Sequence, residues 1–111
     1  MICEPAEWKR RVCMHGCQIH DDWGDCDPPL QAAHIIPQQS LKRRGLHSLL
    51  WDTRNGIGAC YGAHRASDRS VVRSDGSSAR FPRERIPLEA EAFAQEIGLD
   101  WMLDKLYGPR P

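Results

Sequence analysis

Residues 31–68, QAAHIIPQQSLKRRGLHSLLWDTRNGIGACYGAHRASD, constrain the fold more than any other stretch. A short apolar run from Leu30 to Ile36 is stopped by Pro37 and reads as a buried strand. A second short run, Ile57 to Cys60, follows the D-T-R-N-G turn at 52–56 and reads as its partner. In that turn Gly56 supplies freedom in backbone angles after Asn55. The chain then turns helical from Tyr61 to Arg69, which sets His64 and Asp68 at i, i+4 on one helix face. The order is strand, strand, helix, with an unusually long connection between the strands. That connection, residues 39–51, has apolar positions at 41, 46, 49, 50 and 51, interrupted by Gly45. It reads as one broken helix or two turns, with Lys42, Arg43 and Arg44 exposed and His47 at the surface.

The flanks read more simply. Pro5 and Glu7 suit a helix start, and Trp8 and Val12 at i, i+4 turn inward. Residues 18–29 form a turn-rich loop whose aspartates, with His20, read as solvated. Residues 70–87 form a second loop with a Ser/Gly tip. From Pro87 the period is helical, with Leu88, Ala92, Phe93 and Ile97 on one face and Gly98 as the stop. Asp100 caps a last short helix through Leu103, Leu106 and Tyr107. The expected class is α+β: one domain over 1–111, with its core at about 13–70 and a helical extension at about 86–107.

A chain of 111 residues buries only about two-thirds of its unfolded surface, so a metal staple would help it. The formal net charge is zero, but the charge is segregated. Residues 38–73 carry seven bases, Lys42, Arg43, Arg44, Arg54, Arg65, Arg69 and Arg73, against Asp52 and Asp68. Residues 1–30 and 84–107 are acidic. Basic charge therefore lies in and beside the central stretch, where a phosphate backbone would bind; the alternative is an ordinary solvated face. The sequence has no signal-peptide core and no membrane-spanning run, so no membrane partner is expected. Five cysteines, an odd number, with no export signal point to a reducing cytoplasm and to metal ligands or buried thiols. Cys13 and Cys17 around Met14-His15-Gly16 look like half of a zinc knuckle.

The phrasing AHIIP…N-G-I-x-x-C-x-x-x-H-R-x-x-D, with His34, Asn55 and His64 as its landmarks, resembles the HNH endonucleases of bacteria and their phages, which have a ββα-metal fold. The resemblance implies metal-dependent cleavage of DNA in a bacterial or phage-infected cell, leaving 5′-phosphate and 3′-hydroxyl ends. It implies that His34 is the water-activating base, that Asn55 ties the loop and orients it, and that His64 and Asp68 hold a divalent ion, Mg²⁺ or Mn²⁺. Where the family has a further ligand just before the base, this chain has Ala33, which cannot ligate. The family's knuckle closes with a second cysteine pair; here Cys60 is present and Ala63 stands at the other position. A structural zinc on Cys13, Cys17 and Cys60 would take its fourth ligand from Cys26, Cys3 or His15. Arg54 and Arg65 flank the site and suit phosphate clamping, while Lys42, Arg43 and Arg44 suit backbone contact at a distance. No base-reading set stands out, so specificity can come from a partner protein. Two rival readings remain: a non-catalytic zinc-knuckle nucleic-acid-binding module, and a purely structural or partner-binding domain.

Overall fold

The computed structural model describes residues 1–19, 26, 28–68 and 81–110, with only the backbone of Ala66 and Asp68. The expectations for His20, the 21–27 aspartates, Arg69, Arg73 and the 70–80 loop tip lie outside the described residues. β1 (Leu30–His34) and β2 (Gly56–Cys60) pair antiparallel, with Leu30 opposite Cys60 and His34 opposite Gly56. β1 stops two residues short of the apolar run. Ile35 and Ile36 leave the ladder and are fully buried, and their backbone groups bond to Asn55 instead of to a strand.

A two-stranded ribbon is marginal in water without elements packed on it. α1 (Pro5–Val12) covers one face with Trp8 and Val12, the two positions that the spacing turns inward. It packs on bare backbone. A Cβ on Gly56 would overlap the side chains of Val12 and Trp8, and one on Gly58 would meet the Gly16 carbonyl oxygen at 2.5 Å. Gly56 is extended at φ −127°, so close approach, not unusual backbone angles, requires glycine there. α3 (Tyr61–Asp68) leaves β2 without a connecting loop, and the Tyr61 N–H donates to the Pro29 carbonyl at 2.8 Å.

Between the strands, α2 (Gln38–Arg43) buries Leu41 and ends at Gly45, whose φ of +71° no β-carbon residue adopts cheaply. A 3-10 turn at His47–Leu49 follows, so the broken-helix reading describes this connection. α4 (Leu88–Glu96) and α5 (Asp100–Tyr107) complete an α+β domain with five helices among the described residues. α4 buries Ala90, Phe93 and Ala94, while Leu88 is 70% exposed and Ala92 is also exposed. The inward face is thus rotated from the one expected. Asp100 opens α5 rather than capping it; Leu99 holds the cap position without a side-chain bond. The Asp100 charge still lies at the positive end of the helix dipole. Arg83, 7% exposed, binds Glu91 at 2.6 Å and Asp104 at 2.7 Å, tying α4 to α5. No described helix is long and apolar enough to cross a membrane.

Candidate active site and thiol cluster

His34 ends β1 inside an aromatic box. Its ring stacks on Trp8 with centroids 4.3 Å apart and meets Trp51 edge-on at 5.3 Å. Its Nε2 lies 2.7 Å from the Leu50 carbonyl oxygen. A carbonyl only accepts, so Nε2 carries the proton and Nδ1 is the basic nitrogen. Burial pushes the imidazole below its ordinary value; the Leu50 carbonyl opposes this and charge on His64 adds to it. Burial therefore favours the neutral form of His34.

Asn55 is 1% exposed and closes the loop behind His34. Its Oδ1 accepts from the Ile36 N–H at 2.8 Å, and its Nδ2 donates to the Ile36 carbonyl at 3.0 Å. Its own carbonyl accepts from the Ile35 N–H at 3.1 Å. The two residues after His34 are thus fixed by one residue, Ile35 by the Asn55 backbone and Ile36 by its side chain, nineteen positions further along the chain than Ile36. Asp52, also buried, braces the turn. Burial alone would raise its carboxyl, but the Arg54 side chain and backbone N–H outweigh that and hold it below the usual range.

His64 lies one turn into α3, half-buried, with Nδ1 2.9 Å from Gln31 Oε1. A ring nitrogen that donates to an amide oxygen fixes the orientation of the imidazole. The backbone of Asp68 closes α3 one turn further on; its side chain lies outside the described residues. His34 and His64 line one cleft of about 500 Å³, together with Gln38 from α2, Ser67 from α3 and Tyr107 from α5. The Tyr107 hydroxyl donates to the Ile35 carbonyl, which anchors the last helix to the site. Ala33 is 2% exposed in the core and adds no ligand.

At the other end of the ribbon three thiols converge. The sulfurs of Cys17, Cys26 and Cys60 lie within 4.8 Å of one another. Tetrahedral zinc with Zn–S of about 2.3 Å needs sulfurs about 3.8 Å apart, so a small inward movement would close the set. Desolvation and hydrogen bonds with Cys17 and Cys60 push the Cys26 thiol up to about 12. The Cys60 N–H also donates to Cys17 Sγ at 3.3 Å. Cys13 is not in this group, and burial raises its thiol. Cys3 and His15 are not in it either, so among the described residues Cys26 joins Cys17 and Cys60 in the place that spacing gave to Cys13.

The basic residues divide. Lys42, Arg43 and Arg44 are exposed at the end of α2. Arg65 is exposed on α3 and donates to the Tyr61 hydroxyl at 3.1 Å. Arg54 is engaged by Asp52 at 3.0 Å and Glu96 at 2.8 Å and lies over Phe93, so it acts as a brace between the turn and α4. Gln31, Trp51 and the Leu50 carbonyl are site groups that the motif does not mark. Only Gln31 leaves a trace in the sequence, as a lone polar residue within an apolar strand. No protein-family model, no curated protein and no solved structure matches the chain.

Proposed function

We propose that this chain is a divalent-metal-dependent nuclease with a ββα-metal core that hydrolyses phosphodiester bonds in DNA. The observation that supports it most is that His34 and His64, thirty residues apart, open onto one cleft, each with one ring nitrogen already engaged by a fixed oxygen. In this reading Nδ1 of His34 takes a proton from water as the water oxygen bonds to phosphorus, and the 3′-oxygen leaves. Trp8 and Trp51 keep His34 neutral beforehand. Asn55 positions it by fixing Ile35 and Ile36. A divalent ion held by His64 and Asp68 supplies, when bound, positive charge at the phosphate and the leaving oxygen. Arg65 steers the strand by charge, and a partner protein supplies sequence specificity. A zinc on Cys17, Cys26 and Cys60 is structural.

The test is nicking of supercoiled plasmid with Mn²⁺ or Mg²⁺. The wild type nicks with either ion, and His34→Ala cuts at least about a hundredfold more slowly with unchanged DNA affinity, the usual scale of a lost general base. A His34→Ala variant that nicks at the wild-type rate removes His34 from the mechanism. The thiol cluster and Ala33 favour a second reading, a zinc-knuckle module that binds nucleic acid without cutting. It predicts DNA retention in gel shifts and no nicking with any divalent ion.

A further inference from the structure

α2 and α5 each place one end at the cleft. Gln38 at the start of α2 lines the cleft, as do Leu106 and Tyr107 at the end of α5. Their other ends meet at Trp101, where the Arg44 guanidinium lies 5.8 Å from the ring centroid and the Lys105 ammonium 6.0 Å. Trp101 is 49% exposed, while its neighbours Met102 and Leu103 are buried. An indole left in water on a helix that has already buried its apolar face contributes little to the core.

Its surroundings are cationic. Lys42 and Arg43 share α2 with the residue beside the ring, are exposed, and engage no carboxylate among the described residues. Of the acids nearby on α5, Asp104 is bound by Arg83, which leaves Asp100 against these four cations. We infer that Trp101 is a stacking platform for an unpaired base of the nucleic-acid strand that enters the cleft. A base offers a π-face to the indole, and Arg44, Lys42 and Arg43 meet the phosphates beside it. A protein partner fits less well, because interface cores are depleted in lysine, and Lys105 lies at the ring with Lys42 exposed on α2. Duplex bases have both faces covered, so the ring selects a strand that is single or splayed there. Six helical residues separate the cleft from the platform on each helix, about 9 Å.

The inference rests on the nuclease reading only for the meaning of the cleft; the platform is tested by binding alone. Fluorescence anisotropy would follow a labelled twelve-nucleotide single strand, and the same sequence as duplex, without added divalent ion. Trp101→Ala should weaken single-strand binding about tenfold or more, the usual loss for one stacked base. Trp101→Phe should stay within about threefold of wild type, because a smaller ring still stacks. Duplex affinity and the melting temperature of Trp101→Ala should hold, since the side chain is exposed. Arg44→Gln should lower the salt slope of single-strand binding by about one. The platform is overturned if wild type does not bind the single strand, if Trp101→Ala binds it like wild type, if strand and duplex lose affinity equally, or if Phe is no better than Ala. Loss of stacking without any nicking by the wild type would sink the nuclease reading and keep the platform. Nicking with unchanged single-strand binding by Trp101→Ala would do the reverse.

Discussion

At the His34–Gly56 end of the ribbon, directional hydrogen bonds fix the chain: Asn55 to Ile35 and Ile36, Arg54 to Asp52, and His34 to Leu50. At the Leu30–Cys60 end, three sulfurs crowd together, bonded weakly to one another and to one backbone N–H. The first end is ordered by its own polar groups. The second has soft donors at nearly tetrahedral spacing and gains most from a soft cation. A small domain with a marginal core thus has buried amide bonds at one end and, at the other, a cysteine cluster that could hold a metal ion.

The largest effect expected from this contrast is at the thiol end. The purified protein should carry about one zinc, and removing it with a chelator should lower the melting temperature by more than about 10 °C, because structural zinc binding is folding free energy. Cys60→Ala or Cys17→Ala should lose the zinc, and Cys13→Ser should keep it. A well-folded, zinc-free sample by elemental analysis would leave these residues as plain thiols, and zinc lost from Cys13→Ser would restore the ligand set that spacing suggests.

Asn55→Ala should come next, and at the other end. It leaves both backbone groups of buried Ile36 without partners, at about 1–3 kcal/mol each, so urea denaturation should show a loss of about 2–6 kcal/mol. The zinc content should not change. If Asn55→Ala kept its fold but lost its metal, the two ends would be one cooperative unit and the contrast would fail.

Much of this arrangement is local enough to read in the sequence. The two strands, the turn at 52–56 and α3 follow from short apolar runs, turn residues and helical spacing, and they set the positions of His34, Asn55 and His64, although β1 ends at His34 and not at Ile36. What sequence cannot carry is convergence. Cys13 and Cys17 look paired because four positions separate them, yet the fold turns Cys26 toward Cys60. Arg54 looks like a phosphate clamp until Asp52 and Glu96 are seen to hold it. Gly56 looks like a turn glycine until Val12 and Trp8 are seen against it. Each of these depends on a partner at least forty residues away in the chain or on a loop whose path no period describes.

Gln31 sits between the two ends and tests whether His64 belongs to the polar one. Gln31→Leu keeps the volume and removes the amide oxygen that holds His64 Nδ1. Calorimetric titration should show Mn²⁺ binding about 10–100-fold weaker, the usual loss when the orienting partner of a ligand histidine is removed. The melting temperature should change little, since Gln31 is only half-buried. Unchanged Mn²⁺ affinity would mean that the Gln31 bond is structural and that the ion, if bound, sits elsewhere.

The smallest effect is a shift in pH dependence, and it distinguishes two titrating groups of the polar end, half-buried His34 and buried Asp52. His34 is held below the ordinary imidazole value of 6.5 by burial, so it stays neutral to lower pH than a free histidine. The acid limb of kcat/KM for nicking should therefore fall below about 6.5. Trp51→Ala opens one side of the box and should move that limb upward. Stability follows the same proton. The unfolded chain binds it first as pH falls below 6.5, so stability is full above that pH and declines until the lowered value of the folded state is passed. Asp52 acts in a separate window: its carboxyl is also lowered, so its stabilisation is complete above 3.8 and is lost only as pH falls through the lower folded value. Denaturation across pH should show two declines, and His34→Gln should erase the upper one alone. A single decline near 6.5 in the variant as in the wild type would show that some other group titrates there and that the aromatic box does not hold His34 neutral.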